Sequence, residues 1–215
     1  MIERTIAATT HGRYLVQPPA APGAPILVGF HGYGEGAGEM FERLRAIDGA
    51  DRFLIVSIQG LSRFYQRRTN DVIASWMTRQ DRELAIADNI AYVSSAVATA
   101  AGEWQASGAI VFAGFSQGVA MAFRAGAASS LRVRGVLAAG GDVPPEIDAA
   151  SLSRIGAAVM CHGTRDEFYT ANKFAADIAR LNAAGVDTRP VEFDGGHEWS
   201  ADVLSAAAAF LRVPA

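Results

Sequence analysis

The segment GFSQG places Ser116 between two glycines, Gly114 and Gly118. The apolar run IVFAGF leads into this segment and the run QGVAMAFRAGA leads out of it, which predicts a strand, a tight turn and a helix. Such a turn holds the serine in a strained conformation, and the glycines let the backbone pack closely around it. The hydroxyl then projects from the end of the sheet, where it can attack a carbonyl carbon. The alternative is a plain N-cap serine, but an N-cap does not require both glycines.

A serine nucleophile needs a base that accepts its proton during attack and later returns it to the leaving group. Histidine is the natural candidate, and the chain contains four. His11 lies in a predicted turn, and His31 and His162 follow strands inside His-Gly pairs, so these three have credible structural roles. His197 lies in FDGGHEWS, on a glycine-rich loop after the last predicted strand and after Ser116 in chain order. We therefore predict that His197 is the base.

The base in turn needs a carboxylate that fixes its tautomer and stabilises the imidazolium formed during attack. Asp166 is the first choice, because it follows the predicted strand AAVMCHG and lies between the serine and the histidine in chain order. Its alternative role is that of a turn residue in GTRDE, which aspartate fills readily. Asp142, at the end of the preceding predicted strand, is the main rival for the same histidine. Glu167 and Asp194 rank lower, since Asp194 lies only three residues before His197.

Negative charge that develops on the carbonyl oxygen requires fixed N–H donors. The Gln117 amide follows the serine at a predicted helix N-terminus, where the helix dipole also favours an anion. The second donor is the Tyr33 amide in HGYGEG, since the glycines there let the backbone turn its amides toward a substrate. A phosphate loop is the alternative, but the spacing matches neither G-x-G-x-x-G nor the Walker pattern. We predict these two amides as an oxyanion hole.

The elements that must position these residues alternate between short apolar runs and longer runs with helical spacing, which predicts a parallel sheet with crossover helices. The predicted strands are residues 26–30, 53–58, 110–115, 135–139, 157–161 and 188–193. The predicted helices are residues 39–47, 82–101, 117–127, 171–184 and 200–211. Most of the strands are apolar on both faces, as in a sheet that helices cover on each side. Residues 1–215 then form a single α/β domain.

Two further segments belong to this arrangement. Residues 3–9 and 13–17 are predicted to form an antiparallel hairpin that turns at His11 and Gly12 and extends the edge of the sheet. Residues 60–80 are the longest irregular segment, and we expect them to cross the carboxyl edge of the sheet as a small lid.

Aromatic and basic side chains of the predicted lid have two interpretations. In the first, an acyl pocket is lined by Phe64, Tyr65, Trp76 and Met77. In the second, Trp76 and Met77 anchor the loop in the core while the arginines of the segment stay solvated. Those arginines could also bind a carboxylate or phosphate on the substrate through paired hydrogen bonds, and they are Arg63, Arg67 and Arg68.

The composition of the chain excludes several classes of partner. Its 215 residues carry a formal charge of -3 and scattered arginines, which give no long-range attraction for nucleic acid. Apolar runs such as residues 110–115 are far shorter than the roughly 20 residues that span a bilayer, so we expect no stable membrane insertion. The only cysteine, Cys161, cannot form an intrachain disulfide, and residues 1–10 lack the pattern of a secretory signal. These features predict a cytoplasmic protein and leave a homodimer open.

The segments HGYGEG, GFSQG, HGTRDEFYT and GGHEWS together resemble the phospholipase/carboxylesterase family of α/β-hydrolases, which includes acyl-protein thioesterases. The similarity covers roughly residues 25–210. It implies the α/β-hydrolase fold, whose central sheet is mostly parallel and twisted with helices on both faces. By position it implies Ser116, Asp166 and His197 as a catalytic triad, with the amides of Tyr33 and Gln117 as the oxyanion hole. It also favours Asp166 over its rival, because the family's acid follows the strand that carries HG-x-x-D.

Three positions depart from the family pattern. Tyr33 stands where the thioesterases usually have leucine, Val119 replaces a common second glycine, and DEFYT is not the usual continuation after the acid. We expect Tyr33, Phe168 and Tyr169 to shape the mouth of the site, where substrate preference is set. The resemblance implies short esters, lysophospholipids or acyl thioesters as substrates.

The leading hypothesis from the sequence is therefore acyl transfer to water by a serine hydrolase that forms an acyl-enzyme intermediate and needs no metal or organic cofactor. The histidines lack a spacing such as H-x-x-x-H that would support a zinc site. The rival hypothesis is a non-catalytic protein that keeps a hydrolase fold and uses its pocket to hold a ligand.

Overall fold

A computed structural model describes residues 1–106 and 108–212. Its strands are β1 (Arg13–Gln17), β2 (Ile26–Phe30), β3 (Leu54–Gln59), β4 (Ser62–Tyr65), β5 (Val72–Ser75), β6 (Ile110–Phe115), β7 (Val133–Ala139), β8 (Ala157–Gly163) and β9 (Asp187–Phe193). Its helices are α1 (Ala37–Arg45), α2 (Arg82–Glu103), α3 (Gln117–Ala128), α4 (Ala149–Leu152), α5 (Ala171–Ala183) and α6 (Ala201–Arg212). The strands and helices that the sequence predicted from residue 26 onward are all present, with boundaries shifted by at most a few residues.

Seven strands form one sheet in the order β1-β3-β2-β6-β7-β8-β9. Every neighbouring pair is parallel except β1 and β3, which are antiparallel. Val93 of α2, Phe123 of α3 and Phe174 of α5 pack into the core on one face of this sheet. Leu44 of α1 and Phe210 of α6 pack into the core on the other face. The predicted α/β architecture, a mostly parallel sheet between two layers of helices, is confirmed.

The N-terminal hairpin prediction is wrong in its first half. Residues 3–9 form no strand and are exposed, and only β1 pairs with the sheet, through β3. The physical reason is that residues 3–9 have little apolar surface to bury: Ile6 is their only large apolar side chain, and it is 93% exposed.

The segment 60–80, predicted as irregular, contains an antiparallel hairpin of β4 and β5. Its second strand leads into Trp76, which is buried and whose indole N–H donates to the His31 carbonyl oxygen at 2.9 Å. The sequence missed both strands because each is only four residues long and β4 is mostly exposed. The hairpin is therefore attached to the carboxyl end of β2 by a core anchor.

Helix α2 is long and apolar enough to cross a membrane by length and composition alone, with a mean hydropathy of 1.3 over the best window. The expectation from the sequence rested on shorter apolar runs such as residues 110–115 and did not single out this helix. The helix packs against the core through Val93, Val97 and Ala100, and 28% of that window is buried. A single helix of this length and composition also occurs in proteins without a membrane span. Its composition is therefore weak evidence for a membrane segment.

Candidate active site

Ser116 occupies the sharp turn between β6 and α3 with φ 53° and ψ -121°, a conformation that a non-glycine residue rarely adopts. A Cβ atom on Gly114 would lie 2.4 Å from the Gly118 carbonyl oxygen, and one on Gly118 would lie 2.1 Å from the Phe30 carbonyl oxygen. Both glycines are thus required for the close approach of β6, α3 and β2. The Ser116 side chain makes no capping hydrogen bond to α3, so the N-cap alternative does not describe its contacts.

Substitution of Gly118 by alanine is expected to lower the free energy of unfolding by at least about 2 kcal/mol, because the new methyl group overlaps main-chain atoms of β2 that cannot move away. Gly102→Ala is the matched control, since among the described residues no atom outside the backbone of α2 lies within 4 Å of a Cβ added at this glycine. The control should leave stability unchanged or raise it by up to about 1 kcal/mol. Urea unfolding of both variants measures the difference, and equal stabilities would contradict the close-packed turn.

Ser116, His197 and Asp166 form a continuous hydrogen-bonded chain. His197 Nε2 lies 2.8 Å from Ser116 Oγ, and His197 Nδ1 lies 2.7 Å from Asp166 Oδ2. The three residues follow β6, β9 and β8, whose carboxyl ends meet at one edge of the parallel sheet. The rings of Phe115 and Phe168 both lie 5.1 Å from the His197 ring and hold it in place.

The environment of Asp166 favours its ionised form. Burial by itself would raise the pKa of this carboxyl, but hydrogen bonds from the Tyr169 amide, His197 and the Phe168 amide outweigh burial, and the pKa falls below its usual range. Oδ1 accepts from the Phe168 and Tyr169 amides at 2.8 and 2.9 Å, which leaves Oδ2 for the imidazole. A carboxylate held in this way fixes the histidine tautomer with its proton on Nδ1.

The rival carboxylates lie elsewhere. The Asp142 side chain is exposed and lies 3.8 Å from Lys173 Nζ, while Asp194 forms an exposed ion pair with Arg165. Glu167 is exposed as well. Among the described residues, the carboxylate within hydrogen-bonding distance of His197 is that of Asp166.

The other histidines have structural surroundings, as their positions in the sequence indicated. His31 is buried, its Nε2 accepts from the Gly60 amide at 3.0 Å, and its Nδ1 lies 2.7 Å from the Gly32 carbonyl oxygen. Burial lowers the pKa of His31, which keeps the ring neutral for this pair of contacts. His162 is buried and its ring stacks on Phe174 at 5.0 Å. His11 is exposed and outside any strand or helix.

The amides of Tyr33 and Gln117 make no main-chain or side-chain hydrogen bond within residues 1–106 and 108–212. Gln117 begins α3, so its N–H has no partner one turn earlier in the helix. The Gln117 side chain stabilises the hairpin of β4 and β5, since its Oε1 accepts from the Trp76 amide at 2.9 Å. Both predicted oxyanion donors are therefore free to bind a ligand oxygen.

Glu35 stabilises the Tyr33 loop, a role that sequence reasoning missed. Its Oε2 accepts from the Gly32 amide at 2.8 Å, and both of its carboxylate oxygens accept from Arg43 at 2.7 Å. Burial alone would raise the pKa of Glu35, but the Arg43 guanidinium outweighs it and the net shift is downward. Arg43 also lies over the Phe115 ring, 4.4 Å from its centroid. Glu35 and Arg43 are eight residues apart, and no sequence motif with this spacing predicts their ion pair.

A second network that the sequence did not reveal joins the loops after β7 and β8. Asp177 of α5 accepts from the Tyr169 hydroxyl and from the Val143 amide, both at 3.0 Å. Tyr169 is itself the residue whose amide donates to Asp166. The buried aspartate thus joins the loop after β7 to the loop after β8, which carries Asp166.

A cavity of about 370 Å³ opens beside Ser116 and His197. Of the predicted pocket residues, Met77, Phe168 and Tyr169 line this cavity, although only 1% of Tyr169 is exposed. The prediction is corrected for Trp76, which lies in the core. It is also corrected for Phe64 and Tyr65, which lie on the exposed hairpin outside the cavity lining. Phe64 instead contacts the Tyr33 ring, with a centroid distance of 5.7 Å.

Comparison with solved structures shows the same fold in several hydrolases. The carboxylesterase of Bacillus cereus superposes with a TM-score of 0.74 at 16% identity, covering 93% of this chain and 93% of that chain. Acyl-protein thioesterase 2 of Zea mays gives 0.71 at 18% identity, covering 94% of this chain and 100% of that chain. Esterase PE8 gives 0.69 at 21% identity, covering 94% and 97%. No curated protein sequence matches the chain significantly.

A family model provides the assignment that these low identities cannot. The phospholipase/carboxylesterase model matches residues 11–214, which is nearly the whole chain. The mostly parallel sheet and its helices agree with the α/β-hydrolase fold of the structural neighbours. The chain therefore belongs to the phospholipase/carboxylesterase family of α/β-hydrolases.

Proposed function

We propose that the protein is a serine hydrolase that cleaves carboxylic esters or acyl thioesters through an acyl-enzyme intermediate. The observation that carries this proposal is the hydrogen-bonded chain from Ser116 through His197 to Asp166. Membership of a family of hydrolases supports it independently.

The proposed reaction begins when His197 Nε2 takes the proton from Ser116 Oγ and the oxygen attacks the substrate carbonyl carbon. The amides of Tyr33 and Gln117 would bind the oxyanion of the tetrahedral intermediate. His197 then gives the proton to the leaving alcohol or thiol, and the acyl group remains on Ser116. A water molecule, activated by the same imidazole, releases the carboxylic acid and restores the serine.

Turnover of a panel of aryl esters and acyl thioesters with graded chain length tests this proposal. The expected result is one carboxylic acid formed per ester consumed, with a rapid first turnover equal to the enzyme concentration when deacylation is slower than acylation. The rival function is ligand binding without chemistry. A folded protein that binds these esters and releases no acid would favour the rival and contradict the hydrolase.

A further inference from the structure

One helix face connects the proposed nucleophile to a buried arginine. Ser116, Ala120 and Arg124 are spaced by four residues, which places them on one side of α3, and all three line the cavity. The helical rise puts Arg124 about 12 Å from Ser116 along the axis, and helical side chains lean toward the N-terminus. Ser116 and Arg124 therefore line the same cavity from one helix, and Ala120, the residue between them on that face, has a small side chain.

Arg124 is held almost completely out of solvent. Its side chain is 3% exposed, and its Nε and Nη2 donate to Glu146 Oε1 at 2.8 and 2.6 Å. Its Nη1 is buried without a hydrogen-bond partner in the described part of the chain. Because a buried donor without an acceptor destabilises a protein, this nitrogen is a reason to expect an acceptor oxygen from a ligand.

Arg82 adds a second guanidinium on the same side. It lines the cavity at Ser116 and also a neighbouring cavity of about 490 Å³, which shares Met77 and Gln117 with the first. Arg82 Nη2 lies 3.8 Å from Glu146 Oε2, and 44% of its side chain is exposed. A loose contact of this kind leaves the Arg82 guanidinium available to a ligand.

The charges of this group do not cancel. Glu146 supplies one negative charge to Arg82 and Arg124, so one positive charge remains beside the cavity. Asp142 and Lys173, which also line the cavity, lie 3.8 Å apart and offset each other. The charged side chains that line the cavity, taken together with Glu146, thus leave one positive charge for an anion. The Asp166 carboxylate does not line the cavity, and its negative charge is directed at His197.

On the basis of the proposed esterase function, we propose that Arg82 and Arg124, which share Glu146 as a counter-ion, bind a carboxylate on the substrate. The preferred substrates are then anionic esters such as hemiesters of dicarboxylic acids. Guanidinium groups match carboxylates through paired hydrogen bonds. The arginines that the sequence suggested for an anion, Arg67 and Arg68 among them, are exposed on the hairpin and do not line this cavity.

The test compares p-nitrophenyl hemiesters of adipate, suberate and sebacate with the same esters methylated at the distal carboxylate. We expect a higher kcat/KM for at least one hemiester than for its methylated partner. Arg82→Gln should lower the ratio of the two constants by about tenfold, the usual loss for one hydrogen bond to a charged group. Glu146→Gln should raise the ratio, because it removes the negative charge that offsets the arginines.

Arg67→Gln is the matched control, since it removes the same charge from the exposed turn between β4 and β5 and should leave both constants unchanged. An unaltered ratio in Arg82→Gln, or an equal fall in Arg67→Gln, would overturn the proposed carboxylate site. If the wild type hydrolyses neither ester, the proposed hydrolase function is contradicted. Calorimetric binding of adipate then tests the carboxylate site independently of hydrolysis. Binding that Arg82→Gln weakens would support it, and absence of binding would overturn it.

Discussion

Replacement of Ser116 by alanine is expected, if the proposed mechanism holds, to lower kcat for ester hydrolysis by about four to six powers of ten, as in enzymes with a catalytic serine, histidine and aspartate. The substitution removes the oxygen that lies 2.8 Å from His197 Nε2 and leaves the imidazole with no group to activate. The fold should persist, because the hydroxyl makes no capping hydrogen bond to α3. Steady-state hydrolysis of an aryl ester, together with the Tm of the variant, measures both effects.

Ser95→Ala is a suitable control for this experiment. Ser95 lies on the exposed face of α2, where its hydroxyl donates to the Ala91 carbonyl oxygen at 3.0 Å, and it does not line the cavity beside Ser116. We expect its kcat to equal that of the wild type. A Ser116→Ala variant that retained kcat within about tenfold of the wild type would mean that another group forms the acyl intermediate.

Asp166→Asn is expected to lower kcat by about four powers of ten. An asparagine amide can donate to His197 Nδ1, which would place the imidazole proton on Nε2 and leave no lone pair there to accept the Ser116 proton. Two main-chain amides, those of Phe168 and Tyr169, would still bind the side-chain oxygen at this position. The variant should therefore fold, and the loss should appear in kcat.

Asp142→Asn provides the comparison for this second prediction. The Asp142 carboxylate is exposed and close to Lys173, so its neutralisation should change kcat for a neutral aryl ester by less than about threefold. Kinetics of the two variants on the same ester, at equal and verified folded fractions, decide between the carboxylates. A large loss in Asp142→Asn with an active Asp166→Asn would reverse the assignment of the acid.

The parallel strands could be predicted because their sequence signal is local. β2 and β6 are continuous apolar runs, and the structure buries every residue of both. The strand predicted at residues 3–9 is absent because this segment has a single large apolar side chain, Ile6, and that side chain is exposed. The hairpin of β4 and β5 was missed because both strands are short and β4 is mostly exposed. Its anchor, Trp76, is held by His31 and Gln117, which are 45 and 41 residues away in the sequence.

Some residues of the site also have a local sequence signal, and others do not. The strained turn at Ser116 is encoded by neighbouring glycines, and the loop positions of Asp166 and His197 follow from strand order, so the sequence could indicate all three. Glu35 and Asp177 act through contacts that no sequence motif predicts. Glu35 bonds Arg43, eight residues away, and Asp177 bonds the Val143 amide, 34 residues away. Their contribution emerges only when the loops at the carboxyl edge of the sheet are assembled.

Reaction with a fluorophosphonate probe, followed by peptide mass spectrometry, is the most direct test of Ser116 as the nucleophile, because such probes modify serines whose oxygen is activated by an adjacent base. We expect one adduct per chain on the peptide that contains Ser116, and a labelling rate that falls by several powers of ten in His197→Ala. Folded protein that stays unlabelled, or an adduct on a different serine, would contradict this assignment.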